Sequence, residues 1–346
     1  MANTTISDVA KRAGVSTATV SNVINNKPGV TQITRDTVIE AMNELNYRPR
    51  GTARNLKRER SFPCIGVVVK ELDNPYYTDV VSGIRQYAKS KGYTVFVTSS
   101  EGNFRQEKVI IDQLTNKDVN GVIIAPSLSD PDAEFSHLFQ LQSLNYPFVL
   151  LEKVQGIHAS VVDIDHVSST KSAVKYLIDS GHSKIIHFSG PEYTSHTMDR
   201  IRGVREAYSE SSLVFQEDKV LVSSGSRLEG GYETAMSYFR DLPTDEYPTA
   251  IVCYNDLIAL GAIAALTELG IDVPGDVSVI GDDDIEFAKR FPIPLTTIHT
   301  PKIELGQKAA ELLIDAIEAS EQLPPQKLLL RPELIVRKST RKLVSD

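Results

Sequence analysis

This chain has little of what disulfide scaffolds, membrane proteins or enzymes require. It holds two cysteines, Cys64 and Cys253, far apart and each beside an apolar segment. That spacing excludes a disulfide framework and a cysteine metal site, and reads as two buried thiols. No apolar run approaches the roughly 20 residues of a membrane-spanning helix. Met1-Ala2-Asn3-Thr4 leads straight into polar sequence rather than an export signal, so the expected compartment is the cytoplasm, with no membrane partner. The phosphate-cradling Gly-x-x-x-x-Gly-Lys, His-Glu-x-x-His and Gly-x-Ser-x-Gly patterns are all missing, which argues against an enzyme. His166, His182, His187, His196 and His299 are scattered along the chain and read as surface or capping residues. The run Asp282-Asp283-Asp284 mimics a metal site, but three consecutive residues cannot all face one ion. No metal and no cofactor are therefore expected.

What is present begins near the N-terminus. Ile6, Val9, Ala10 and Ala13 fall at i, i+3, i+4 and i+7, the apolar face of one helix with small Ala10 at the crossing point. Gly14 tolerates the positive φ of a tight turn, Val15 fills the corner and Ser16 is a good N-cap. The second helix buries Val20, Val23 and Ile24. It turns outward Thr17, Ala18, Thr19, Ser21, Asn22 and Asn25, small groups suited to base edges. This is a helix-turn-helix, with Thr17 to Asn25 as recognition helix; an ordinary helical hairpin with a glycine corner is the alternative. Thr34 is expected to cap a third helix, with Val38, Ala41, Met42 and Leu45 closing a mini-core and Tyr47 and Pro49 ending it.

The net charge of −8 hides an asymmetry. Residues 1 to 60 carry ten Lys and Arg against five acids, hence +5, and the remainder −13. A basic head on an acidic body binds phosphates without the body adhering to DNA. Next, Arg50-Gly51-Thr52-Ala53-Arg54-Asn55-Leu56-Lys57 has too little apolar surface to fold alone, so it is a plain linker or a helix that forms only on DNA.

From Cys64 onward short apolar strands alternate with amphipathic helices. Strands are expected at Ile65 to Val69, Thr94 to Val97, Gly121 to Ala125 and Phe148 to Leu151. A second series is expected at Lys184 to Phe188, Val220 to Val222, Ala250 to Cys253 and Val277 to Ile280. Continuous Val/Ile runs at helix-length spacing imply two doubly wound parallel sheets. Two such lobes leave a ligand cleft at the carboxyl ends of their strands. Arg200, Asn255 and Asp283, at or beyond strand ends, are types that suit sugar hydroxyls. A structural Arg200–Asp283 ion pair is the alternative.

The N-terminal block resembles the LacI/GalR family of bacterial transcription regulators through Thr5-Ile6-Ser7-Asp8-Val9-Ala10, Ala13-Gly14-Val15-Ser16-Thr17-Ala18-Thr19-Val20-Ser21 and Val23-Ile24-Asn25. The likeness continues through Asp73-Asn74-Pro75-Tyr76-Tyr77, Asn120-Gly121-Val122-Ile123, Arg200-Ile201-Arg202-Gly203, Asn255-Asp256, Val277-Ser278-Val279-Ile280-Gly281 and Leu295-Thr296-Thr297-Ile298. It implies an all-α helix-turn-helix domain (1–47), a hinge helix or linker (48–61) and a periplasmic-binding-protein-like α/β body (62–346). Lobe 1 is expected at about 62–163 and 294–323, and lobe 2 at about 164–293 and 324–340.

The resemblance also implies a DNA-contacting set: Thr5, Ser16, Thr17, Ala18, Thr19, Ser21, Asn22, Asn25 and Tyr47 in the reader, and Arg50, Ala53, Arg54 and Leu56 in the hinge. Leu56, the lone large apolar residue of its stretch, matches the leucine wedged between base steps in the minor groove. For the effector it implies Tyr76, Tyr77, Arg200, Asn255 and Asp283, with Glu152 and Asp165 as weaker candidates. Asp282 departs from the aromatic common in the family. Arg227, where relatives often place an aromatic lid, would favour an anionic sugar phosphate or sugar acid.

The expected function is a repressor of carbohydrate-related genes. It would bind a near-palindromic operator as a homodimer and be controlled by a sugar-type effector whose cleft closure alters the hinge spacing. Arg341 to Asp346 shows no heptad extension, so a tetramerising tail is not expected. A phosphocarrier protein as co-effector is an alternative; so, more remotely, is a sugar-binding protein without DNA function.

Overall fold

Thr5 starts the first helix, α1 (Ile6–Ala13), through a capping box. Its hydroxyl accepts from the Asp8 amide while Asp8 accepts from the Thr5 amide at 2.8 Å, satisfying donors that a helix start leaves orphaned. Gly14 ends the helix at φ 67° with its amide donating to the Ala10 carbonyl, a conformation that costs a side chain. Ser16 then caps α2 (Thr17–Ile24), accepting from the Thr19 amide at 3.0 Å. The third helix, α3 (Gln32–Glu44), begins earlier than expected. Thr31, not Thr34, supplies the cap, its hydroxyl accepting from the Thr34 amide at 3.3 Å. Val9, Ala10, Val20, Val23, Val38 and Ala41 form the buried core of this unit.

The computed structural model describes residues 5–24, 30–45, 63–116, 119–128, 130, 133–192, 194–223 and 225–343. The chain divides into two compact units, Met1–Ser61 and Phe62–Asp346. Asn25, Tyr47, Arg50, Ala53, Arg54 and Leu56, with the whole expected hinge, lie outside the described residues.

The second unit contains two six-stranded sheets. In chain order the first half supplies β1 (Cys64–Val69), α4 (Pro75–Ser90), β2 (Thr94–Ser99), α5 (Phe104–Thr115), β3 (Gly121–Ile124), α6 (Ser136–Ser143), β4 (Phe148–Leu150) and β5 (Ser160–Ile164). The second supplies α7 (His166–Asp179), β6 (Ile185–Ser189), α8 (Ser195–Ser209), β7 (Val220–Val222), α9 (Leu228–Phe239), β8 (Ala250–Cys253), α10 (Asp256–Glu268), β9 (Ser278–Asp283), α11 (Glu286–Arg290) and β10 (Thr296–His299). The chain ends through α12 (Lys302–Glu318), β11 (Lys327–Leu330) and β12 (Glu333–Ile335). The orders are β11-β5-β4-β3-β1-β2 and β12-β10-β9-β8-β6-β7. Every described pairing is parallel except β10 with β12.

All eight expected strands are present, but four more complete the sheets and move the lobe boundaries. Thr296–His299, expected in lobe 1, pairs in parallel with Ile280–Asp283 of the second sheet. Lys327–Leu330, expected in lobe 2, pairs with Val161–Ile164 of the first. Both corrections have one cause: each sheet gains a strand beside the last strand of its βα series, and Thr296 and Thr297 are fully buried there. The chain therefore crosses between lobes three times, after β5, β10 and β11. Between the last two crossings α12 returns to lobe 1 and lies against α4. A Cβ on Gly306 would meet the Val80 carbonyl at 2.0 Å, and one on Gly83 the Ile303 carbonyl at 2.1 Å, so glycine on each helix lets the backbones touch. Cys253 is buried and Cys64 only partly so. Among the described residues no helix is long and apolar enough to cross a membrane.

Candidate DNA interface and effector cleft

The core that fixes α2 decides which of its side chains face out. Val20 and Val23 point inward; Ser16, Thr17 and Ala18 are exposed, and Thr19, Ser21 and Asn22 half-buried. One helix face therefore carries hydroxyls, a carboxamide and a methyl, the complement of base edges and thymine methyl groups in a major groove. Thr5 is exposed but spent on the cap of α1.

In the body, parallel strands deliver their carboxyl ends to one cavity of about 100 Å³ between the lobes. The cavity is open to solvent and large enough to hold a small polar molecule. Lobe 1 contributes Lys70 after β1, Asn74, Tyr76 and Tyr77 at the start of α4, and Glu152 after β4. Lobe 2 contributes Thr194 and His196, Arg200 on α8, Ser226, Tyr254 and Asn255 after β8, and Asp283 at the end of β9. Six of the eight expected effector residues thus share one cavity: Tyr76, Tyr77, Glu152, Arg200, Asn255 and Asp283. Asp165 does not line it. Its carboxylate caps α7, accepting from the Ser168 amide at 3.0 Å and hydroxyl at 2.6 Å.

Arg227 does not line it either. Its guanidinium lies 2.5 Å from Asp73, 3.5 Å from Glu71 and 3.9 Å from Glu101, three lobe 1 carboxylates that neutralise it. The arginine invoked for an anionic effector is thus paired within the protein and stands outside the cavity lining.

Several lining groups are committed to one another. Glu152 accepts from Lys70 Nζ at 2.6 Å and, across the cleft, from Ser195 Oγ at 2.8 Å. Burial alone would raise its pKa, but His196 and Lys70 outweigh that and hold it at about 2. Asn255 accepts from the Ile258 amide and donates to the Ser226 carbonyl, both at 2.8 Å, so it shapes the wall.

Arg200 is different. It is 3 % exposed, its Cζ lies 4.3 Å from the Tyr254 ring centroid, and its Nε is 3.3 Å from Asp282. Its Nη1 has no hydrogen-bond partner among the described residues. The expected alternative, an Arg200–Asp283 clamp, is therefore replaced by a pair with Asp282, which Ser169 also contacts at 3.0 Å. The three aspartates point three ways: Asp282 to Arg200, Asp283 to the cavity, Asp284 to Arg337 and His299.

Asp283 sits at φ 128°, a region L side chains avoid. Thr300 and Lys302 hold it there by donating to its carbonyl. Burial and then the charges of Asp282 and Asp256 push its pKa well up.

The histidines are not the scattered surface residues expected. His166, His182 and His187 are buried, and strand β5 with helices α7 and α8 bring His166, His196 and Asp163 together at the cavity edge. Lys70, His166, His196 and Tyr254 are cleft residues that sequence reasoning missed. Their common signal was position just after a strand or at the start of the next helix.

A family model described as bacterial regulatory proteins, lacI family, matches residues 5–50, and one described as a periplasmic binding protein-like domain matches residues 174–340. The HTH-type transcriptional repressor PurR of Vibrio campbellii is 36% identical over 98% of this chain and 99% of its own length. That of Haemophilus influenzae is 35% identical at the same coverage. Among solved structures, the transcriptional regulator CelR in complex with cellobiose is similar at TM-score 0.72 and 28% identity, covering 97% of this chain and 99% of that one. The lac repressor dimer bound to operator and the anti-inducer ONPF is similar at TM-score 0.70 and 28% identity, covering 98% and 100%. A LacI-family regulator from Enterococcus faecium with bound ribose gives TM-score 0.69 and 26% identity, covering 81% and 100%.

Proposed function

We propose that this chain, which belongs to the lacI family of bacterial regulatory proteins, is switched by a small neutral polyhydroxylated ligand of the sugar class held in the interlobe cleft. The chain is a DNA-binding transcriptional repressor answering to a small molecule, and it is not an enzyme. One observation carries the ligand class. The cavity sets the unpartnered Arg200 Nη1 beside the Tyr254 ring, with Asp283 also lining it from lobe 2 and Tyr76 and Tyr77 from lobe 1. Directional donors, an acceptor and aromatic faces together suit a ring with hydroxyls on its edge and CH groups on its face. The similar regulators solved with cellobiose and with ribose support that class.

On the DNA side the reading follows the domain order 1–47, 48–61 and 62–346. Thr17, Ala18, Thr19, Ser21 and Asn22 on α2, continued by Asn25, would read one half-site. The basic segment around Arg50, Ala53, Arg54 and Leu56 would fold in the minor groove, and Tyr47 would contact the backbone. A second copy would supply the other half of a two-fold operator, as in the lac repressor dimer, and the protein would act in the cytoplasm. Ligand binding would couple to DNA because the three connections between lobes let the first lobe turn against the second, moving the chain that leads to the reader.

Isothermal titration of the full chain with matched neutral and phosphorylated sugars tests this, paired with operator binding with and without each ligand. A neutral sugar is expected to bind and to shift operator affinity at least fivefold. Preference for phosphorylated sugars, or binding of a planar heterocycle stacked on the tyrosines in place of every sugar, would sink it.

A further inference from the structure

At the edge of the cleft, three side chains from three different elements converge. Asp163 stands near the end of β5 in lobe 1, His166 opens α7 and His196 lies in the first turn of α8 in lobe 2. Asp163 Oδ1 is 3.0 Å from His196 Nε2 and 3.8 Å from His166 Nε2. The two imidazole rings are 4.2 Å apart, and one ligand atom from each of the three residues falls within 4.8 Å of the others. Ligands bound tetrahedrally at 2.0–2.1 Å are separated by about 3.4 Å, so this set brackets coordination distance with only small side-chain shifts.

His166 gives an independent reason to look for an ion. It is 3 % exposed, and neither ring nitrogen has a hydrogen-bond partner among the described residues, an arrangement that buried polar groups rarely keep. The neighbouring cations do not bar a third charge, since Lys70 is neutralised by Glu152 and Arg200 is paired with Asp282. Glu152 Oε2 also lies 3.7 Å from His196 Nδ1, where an outer carboxylate would orient a metal-bound imidazole.

We propose that Asp163, His166 and His196 form a site for one divalent first-row transition ion of the Zn2+ class, bridging the two lobes at the cleft. Two imidazoles and one carboxylate suit Zn2+, Co2+ or Ni2+ over Mg2+ or Ca2+. Three protein ligands leave a position open beside the cavity that His166 and His196 line. Joining β5 to α8, the ion would favour the closed arrangement of the lobes.

The test uses the full chain, stripped with chelator and titrated with Zn2+ and, separately, Co2+. Expected are one ion per chain, a Co2+ visible absorption band of four- or five-coordinate intensity, and a melting temperature raised by several degrees, with no response to Mg2+. His196→Gln and Asp163→Asn, both at partly exposed positions, should each weaken binding at least tenfold and abolish the band. A circular dichroism spectrum and apo melting curve like those of the unsubstituted chain would show that they fold. Binding that survives both substitutions, or no binding of either ion near one equivalent, would overturn the site.

Discussion

The two units of this chain reach their function from opposite sides of the folding problem. Among the described residues, the reader closes three helices over six buried side chains, of which the largest are valines. The described groups that would read base edges, Thr17, Ala18, Thr19, Ser21 and Asn22, belong to one eight-residue helix. The body fills four separate apolar clusters around two sheets, and its candidate site is made of buried polar groups braced against each other across the cleft. A small unit buries a smaller share of its surface and is stabilised by only a few kcal/mol, whereas a unit of nearly 300 residues has more to lose before it unfolds. Recognition is thus placed where a thin core leaves a face free. Sensing is placed where a thick core can hold strained and charged residues.

Equal lesions should break that symmetry most visibly. Val20 and Ile123 are both fully buried. Val20→Ala removes two methyl groups at a cost of about 2 kcal/mol, and Ile123→Ala costs about 3–4 kcal/mol. The smaller loss is expected to do the greater damage. Val20→Ala should reduce operator binding by up to about thirtyfold per reader and leave the body's melting transition in place. Ile123→Ala should lower that transition by several degrees with operator binding near normal at 25 °C. Calorimetry with operator titration on both variants checks this, and comparable operator binding by the two would mean the reader is not the marginal unit.

The same contrast governs what the residues disclose before folding. The reader was legible because its pattern is local: Val9, Ala10, Gly14, Ser16 and Val20 lie within one turn–helix span and each has a single structural use. The eight Val/Ile strands were legible for the same reason. The strands missed are those whose pattern is weak or whose partner is distant. Ser160–Ile164 breaks its apolar run with Asp163, Thr296–His299 has one apolar residue, and Lys327–Leu330 finds its partner some 166 residues upstream. In the cleft, Tyr76, Arg200 and Asp283 were found by type and position. That Arg200 turns to Asp282 rather than Asp283, and that His166 meets His196, depends on how α7, α8 and β9 converge in space, which no spacing encodes.

Buried titratable groups sharpen the comparison by pH. His187, on β6 of lobe 2, is buried, and burial first and the charge of Arg200 second hold its pKa down at about 4 against an ordinary 6.5. The unfolded chain therefore binds a proton between pH 6.5 and 4 that the folded body refuses, so stability falls as pH drops through that window and levels off below it. The loss from this residue is roughly 3 kcal/mol. Melting temperatures of the body should decline across that window, and His187→Leu should make the decline shallower. An unchanged slope would show that other groups carry the acid sensitivity.

The smallest expected effect bears on how the lobes are held. Arg227 reaches from lobe 2 to Glu71, Asp73 and Glu101 of lobe 1, but it is 44% exposed, and pairs in such a setting contribute a fraction of a kcal/mol, less in salt. Arg227→Gln should therefore favour the open lobes slightly, weakening any cleft ligand about twofold to fivefold at low ionic strength. The difference should vanish near 0.5 M salt. Titration calorimetry at the two salt concentrations decides between this and a direct ligand contact. A latch loses strength equally for neutral and charged ligands, whereas an arginine that bound a phosphate would lose more than tenfold for the phosphorylated ligand alone. Uniform, salt-erased weakening would place Arg227 with the bracing of the body, whose carboxylates and cations meet across a cleft, unlike the exposed Arg12–Glu44 pair of the reader at 2.6 Å.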